Sequence, residues 1–225
     1  MQYILDTADL NEIRHANEFY PIEGVTTNPS IIAKEKGDFK AIVTGIRDII
    51  GPEKSIHVQT TAESAEEIVA EAKLLKKLLG KNFFIKVPIG EAGLKATMLL
   101  KDLGIPVTMT AIHTPQQALL AAKAGASYVA PYVNRLDNIG SDGIKVVEEI
   151  VASLDHFGID CKVLAASFKN TQQVQDAAYV GCHSVTVAPD VLYQLIKHPM
   201  TDIAIDNFNK DWESVYGDKK IPVLL

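Results

Sequence analysis

Cysteine is almost missing from this chain: Cys161 and Cys182 are the only two in 225 residues. Two thiols cannot frame a chain of this length, so a disulfide-built secreted scaffold is excluded, and both are expected as buried, reduced side chains. Long apolar runs are missing too. No stretch approaches the roughly 20 residues that cross a bilayer. The opening Met1-Gln2-Tyr3-Ile4-Leu5-Asp6 places an acid where a secretory leader needs its apolar run. A soluble, cytoplasmic chain with no membrane partner is expected. Arginine is scarce, with Arg14, Arg47 and Arg135 among 22 basic residues, and the formal net charge is −6. Without a Lys/Arg block an acidic chain cannot neutralise a phosphate backbone, so no nucleic-acid partner is expected. The six His are scattered, with no H-x-x-x-H or H-E-x-x-H spacing. No zinc set follows, and no metal is expected. There is no G-x-G-x-x-G, no G-x-x-x-x-G-K-[ST] and no G-x-S-x-G, which removes the usual dinucleotide, nucleotide and serine-hydrolase signatures.

What is present is a repeat of short and long segments, in a chain that is 47% apolar and 22% charged. Short apolar, β-branched runs recur at Tyr3–Asp6, Ile22–Thr26, Ser55–Gln59, Phe83–Val87, Val107–Thr110, Tyr128–Ala130, Val163–Ser167 and Ser184–Val187. Helical spacing fills much of the chain between them, at Glu66–Leu79, Ala92–Lys101, Pro115–Ala124, Ile144–Leu154, Thr171–Tyr179 and Val191–Ile196. In Glu66–Leu79, for example, Ile68, Val69, Ala72, Leu75 and Leu79 form one apolar stripe. Gly80, Gly104, Gly125, Gly158 and Gly181 follow such segments as stop signals. Strand–helix alternation predicts a parallel α/β sheet with right-handed crossovers. Eight units in about 200 residues fit a (β/α)8 barrel, a TIM barrel, over residues 1–200. A doubly wound open sheet is the alternative, disfavoured by the missing Gly-rich loop after the first strand. Residues 201–225 are surplus to the barrel. A helix predicted over Thr201–Tyr216 carries Ala204, Phe208, Trp212 and Val215 as a stripe, which packs either on its own barrel or on another subunit.

Barrel active sites lie at the C-terminal strand ends. Seven of those ends are polar here: Asp6; Thr26-Thr27-Asn28; Gln59; Lys86; Thr110; Tyr132, Asn134 and Arg135; and Ser167 with Lys169. Lys86 is the most informative. Strand alternation puts Phe83, Ile85 and Val87 on one face and Lys86 with Phe84 on the other. The apolar trio suits the layer under the helices, so Lys86 points into the barrel. An inward ammonium is costly unless it is paired or deprotonated, and a neutral amine is the nucleophile that forms a Schiff base with a carbonyl. A structural Lys paired with Asp6 or Glu23 is the other option. Arg135 is the only Arg that follows a barrel strand, where its guanidinium suits bidentate phosphate binding or a surface ion pair. Ser167 lies where barrels often hold phosphate. An inward His57 is expected to be a satisfied core residue.

At these residues the chain resembles the transaldolase family, and within it the small fructose-6-phosphate aldolase-like branch. The matching stretches are Leu5-Asp6-Thr7, Gly24 through Ile32, Ile85-Lys86-Val87-Pro88, Tyr128 through Arg135 and Leu164 through Lys169. The resemblance implies a class I aldolase barrel with no metal or other cofactor and Lys86 as the Schiff-base residue. It also implies sugar-phosphate and dihydroxyacetone-type substrates. It suggests a homo-oligomer, in the form of a decamer of two pentamers, gripped by the C-terminal helix. Transaldolases pass a dihydroxyacetone unit between sugar phosphates, while the aldolase branch cleaves fructose 6-phosphate to dihydroxyacetone and glyceraldehyde 3-phosphate. Typical transaldolases carry Glu after strand three and Phe after strand six. Gln59 and Tyr132 resemble the aldolase branch.

The resemblance further implies roles. Tyr132, oriented with Gln59 and Thr110 around one water, would handle protons where a Glu cannot. Asp6 would serve the C3–C4 cleavage step, Thr26 and Asn28 would bind donor hydroxyls, and Arg135, Ser167 and Lys169 would hold the phosphate. Met109 and His113 depart from the branch pattern and are expected to reshape the pocket mouth. A non-catalytic sugar-phosphate-binding barrel requires Lys86 to be a mere charge partner.

Overall fold

The computed structural model describes residues 1–224. In chain order the elements are β1 (Gln2–Asp6), α1 (Leu10–Phe19), β2 (Gly24–Thr26), α2 (Pro29–Lys34), α3 (Phe39–Ile50), β3 (Ser55–Gln59), α4 (Ala65–Leu79), β4 (Phe83–Pro88), α5 (Glu91–Asp102) and β5 (Val107–Ile112). There follow α6 (Pro115–Ala124), β6 (Tyr128–Pro131), α7 (Val133–Asp137), α8 (Gly143–His156), β7 (Lys162–Ala165), α9 (Thr171–Tyr179), β8 (Ser184–Val187), α10 (Pro189–Gln194), α11 (Pro199–Tyr216) and α12 (Ile221–Leu224). The strands are all parallel and pair in sequence order, and β8 returns to β1, which closes the barrel. Closure excludes the doubly wound sheet: this is a TIM barrel.

Local chemistry sets the helices. Ser64 and Glu67 form a capping box at the start of α4, and Gly80 ends it at φ 72°. Thr114 and Gln117 repeat the box on α6, where Pro115 occupies the first turn and Gly125 closes in the left-handed region at φ 104°. Each box satisfies orphan N–H groups at a helix start, worth about 1 kcal/mol. The predicted α4 stripe is buried at Ile68, Ala72, Leu75 and Leu79, with Val69 half-buried at its margin. The outward strand residues, including Val25, Phe83, Ile85, Val129 and Val185, are fully buried under the helices. Truncating one such side chain, Phe83→Ala, would remove about 3–5 kcal/mol.

The barrel interior holds an apolar cluster of Ile4, Tyr128, Ala130 and Leu164, with Phe84 packed against it. It closes the middle of the barrel, so the polar strand ends form a basin above a solid floor.

Several boundaries differ from those predicted. Five helices, α1, α2, α3, α7 and α12, were not foreseen. The spacing of Ile42, Val43, Ile46 and Ile50 on α3 carries the signal for that one. α11 starts at Pro199 and not at Thr201, because proline at the first turn opens a helix. β5 runs past Thr110 to Ile112, and β7 stops at Ala165, which leaves Ser167 in the following loop.

The chain divides into two compact units, Met1–Leu192 and the segment from Tyr193 onward. Within the second, Trp212 Nε1 donates to the Lys219 carbonyl at 2.8 Å and the Trp212 and Tyr216 rings lie 4.6 Å apart. Phe208 and Val215 are 70% and 71% exposed. No helix among the described residues is long and apolar enough to cross a membrane.

Candidate active site

Lys86 does point into the barrel, as the β4 alternation requires, and is only 5% exposed. Its Nζ donates to the Thr27 carbonyl oxygen at 2.8 Å. Neither proposed carboxylate partner is hydrogen-bonded to it: Asp6 accepts from Thr26, and Glu23 accepts from the Tyr3 backbone N–H at 2.8 Å. Burial pushes the Lys86 amine below its ordinary value of 10.5, while the Asp6 charge pulls it back up. A deprotonated amine that donates one hydrogen to a carbonyl keeps its lone pair, which is what a nucleophile needs.

Asp6, at the end of β1, is half-buried. Thr26 Oγ1 donates to Asp6 Oδ1 at 2.6 Å, and Thr186 Oγ1 lies 2.6 Å from Thr26 Oγ1. Because the Thr26 hydrogen goes to the carboxylate, Thr186 must be the donor in the second bond. The chain Thr186–Thr26–Asp6 therefore crosses three adjacent strands and fixes the carboxylate. Thr26 is fully buried, so its hydroxyl serves Asp6 directly. Thr186 did not stand out in the sequence, because β8 ends on the apolar Val187 one residue later.

Gln59 and Lys86 are register partners on β3 and β4. Gln59 Oε1 is buried and makes no hydrogen bond among the described residues, so it retains full acceptor capacity toward the basin. Thr110 Oγ1 and the Tyr132 hydroxyl lie 3.0 Å apart. Tyr132 is half-buried and Thr110 almost wholly buried, so the phenol is the accessible member of the pair.

The basic rim comes from β6 and β7. Tyr132 bridges Ala166, Val133 N–H donates to the Ala166 carbonyl, and Asn134 N–H donates to the Ser167 carbonyl, each N–H bond at 2.9 Å. These stitches hold Arg135, on α7, next to the loop after β7 that carries Ser167. Ser167 sits at φ 65°, a strained backbone for a side chain with a Cβ. The Arg135 guanidinium carbon lies 5.0 Å from the Tyr132 ring centroid. Among the described residues it makes no hydrogen bond or ion pair, whereas Arg14 donates to Asn11 and Arg47 to the Gly51, Lys54 and Lys81 carbonyls. Lys169 is exposed nearby in sequence. Asn28 uses its Oδ1 to cap α2, accepting from Ile31 N–H at 3.0 Å, so the amide NH2 is the group it has left to offer a ligand.

Below Lys86 lies His57, fully buried and satisfied as expected. Its ring stacks on Phe84 at 4.6 Å and meets Tyr128 edge-on at 5.4 Å. Ser55 Oγ donates to the Glu23 carbonyl, so it accepts from His57 Nε2–H at 3.1 Å, and Nδ1 accepts from Thr108 Oγ1 at 2.8 Å. Gly24 makes room for this: a Cβ there would collide with the Ser55 hydroxyl and carbonyl. Burial, with the Lys86 charge second, pushes His57 down to about 3. The floor of the basin is thus uncharged.

Met109 does not reach the pocket. It alternates with the inward Thr108 and Thr110 and is fully buried under the helices. His113 does reach the rim, with its ring edge-on to Tyr132 at 5.5 Å. Cys182 and His183 do not pair: the thiol lies 3.2 Å from the Ser184 carbonyl and His183 Nδ1 accepts from Val163 N–H. A recess of about 480 Å³ lined by Met1, Lys162, Cys182 and His183 opens at the opposite end of the strands from Lys86.

A family model described as transaldolase/fructose-6-phosphate aldolase matches residues 3–219. A probable transaldolase of Thermoanaerobacter sp. (strain X514) is 45% identical over 213 residues, 94% of this chain and 97% of the relative. Probable transaldolases of Clostridium kluyveri and Aquifex aeolicus are 47% and 41% identical over 216 residues, 96% of this chain in both cases and 99% and 98% of the relatives. Among solved structures, a native KDPGal structure superposes with a TM-score of 0.58 at 18% identity, covering 84% of this chain and 86% of that one. A mandelate oxidase gives 0.56 at 16% identity, covering 83% and 60%. These two likenesses show the fold alone.

Proposed function

Because the chain belongs to the transaldolase/fructose-6-phosphate aldolase family, we propose that it is a Schiff-base aldolase that reversibly cleaves fructose 6-phosphate to dihydroxyacetone and glyceraldehyde 3-phosphate. The observation that carries the chemistry is the buried Lys86 amine, which donates to a carbonyl and, among the described residues, to no carboxylate. Its lone pair attacks the ketose carbonyl carbon; the oxygen takes one proton from the attacking nitrogen and a second from the Tyr132 hydroxyl and leaves as water, which gives an iminium. Asp6, fixed by Thr26 and Thr186, accepts the C4 hydroxyl proton. The C3–C4 bond then breaks, its electron pair flows into the iminium to give an enamine, and the aldehyde departs. Protonation of the enamine carbon and attack by water release dihydroxyacetone and restore the amine.

The assignment to aldolase rests on the proton-handling groups. Gln59 is an amide and cannot serve as the base a Glu would be, whereas the accessible Tyr132 hydroxyl, bonded to Thr110, can donate and accept. Asn28 holds donor hydroxyls through its amide. Arg135, which has no ion-pair or hydrogen-bond partner among the described residues, holds the phosphate of the aldehyde half with Ser167 and Lys169. Dihydroxyacetone with borohydride is expected to trap covalently on the native protein and not on Lys86→Met; trapping that persists in the variant refutes the reading.

The second reading is a transaldolase on the same scaffold, which the name carried by the relatives favours. It differs in the fate of the enamine, which is passed to an aldose phosphate in place of being released. We also propose a homo-oligomer joined through the exposed apolar side chains of α11.

A further inference from the structure

We propose that His113 is a positioning residue for the Tyr132 hydroxyl, acting through a strained bulge at the end of β5; this rests on the reading that Tyr132 handles protons. β5 and β6 pair at Thr108↔Tyr128 and Met109↔Val129, and then Ile112 faces Pro131. Three steps on β5 thus match two on β6, so β5 carries one extra residue. Ala111 sits in that stretch at φ 59°, in the left-handed region that a Cβ disfavours. Such a conformation persists only where its surroundings hold it. Bulges re-aim the side chains beside them. Here the pairing resumes with Tyr132 N–H donating to the Ile112 carbonyl at 3.1 Å, and Thr110 Oγ1 meets the phenol at 3.0 Å.

His113 is what clamps the bulge. Its Nδ1 lies 2.9 Å from the Ala111 carbonyl oxygen. A carbonyl only accepts, so Nδ1 carries the hydrogen. The His113 backbone N–H donates to Gln117 Oε1 at 2.8 Å, which ties the residue to the capping box of α6. Its ring then meets the Tyr132 ring edge-on, 5.5 Å away at 80°. The phenol is therefore held by Thr110 at its hydroxyl, by Arg135 over its ring and by the His113 ring in a T-shaped contact.

Two substitutions separate the contacts. His113→Asn keeps a donor near Nδ1 and loses the ring edge; His113→Phe keeps the edge and loses the donor. We expect each to lower kcat for fructose 6-phosphate cleavage by about tenfold or more with KM within about twofold, in line with the steep cost of a displaced reacting group. Borohydride trapping of dihydroxyacetone on Lys86 should reach the wild-type end point in both. In a Tyr132→Phe background, already slowed, either change should cost less than about twofold further, since the residue acts through the phenol. Wild-type kcat in either single variant, loss of trapping in both, or a full multiplicative loss on top of Tyr132→Phe overturns the proposal. If Tyr132→Phe alone cleaves at the wild-type rate, the proton-handling role of Tyr132 falls and that of His113 with it. A slow Tyr132→Phe without the non-additivity removes His113 alone.

Discussion

Lys86 Nζ and the Thr27 carbonyl oxygen lie 2.8 Å apart across β4 and the end of β2. The contact satisfies one amine hydrogen without supplying a counter-charge, and burial then favours the neutral amine. The native state holds Lys86 with fewer protons than the unfolded chain from its lowered value up to about 10.5. The unfolded state binds more protons in that window, so stability rises with pH there. Denaturant unfolding of wild type and Lys86→Met over this range should show Met more stable at neutral pH, with the gap narrowing toward pH 10.5. Parallel profiles would mean that Lys86 is charged in the native protein.

His57 gives a second, acidic window. Its native value of about 3 against 6.5 unfolded means that the unfolded chain alone is protonated between them. Stability should be fully present above pH 6.5 and fall as the pH drops toward 3, by up to roughly 5 kcal/mol from this residue. His57→Phe, less stable at neutral pH because Thr108 and Ser55 lose their partner, should have a shallower acid slope. An unchanged slope contradicts the neutral, buried imidazole.

The apolar side chains of α11 supply the third expectation. Phe208→Asp combined with Val215→Asp, both at exposed positions, should reduce the sedimenting mass of the protein. A mass equal to that of wild type contradicts the proposed subunit contact.

Much of the barrel was legible because burial imposes period two on strands and a stripe on helices. Ser55–Gln59, Ser184–Val187, Pro115–Ala124 and Thr171–Tyr179 have the same bounds in sequence and structure. The inward aim of Lys86 followed from the three apolar residues around it. What escaped was set by tertiary partners. α1 buries only Ile13 and Ala16, too little to print a stripe. The Thr26 hydroxyl turns to Asp6 and Thr186, a bond across three strands that no local pattern encodes. Met109 was expected at the pocket mouth, yet it lies on the buried outer face with Val87 and Val129. The bulge at Ala111, which lies between Met109 and Ile112 in the register, carries no glycine to announce it.

The deciding measurement gives the purified protein fructose 6-phosphate with no aldehyde acceptor and follows glyceraldehyde 3-phosphate over many turnovers. Sustained release is expected, because Tyr132, Thr110 and Gln59 would let the enamine on Lys86 be protonated and hydrolysed. Release that stops near one equivalent per subunit and resumes on adding erythrose 4-phosphate would contradict it and identify a transaldolase.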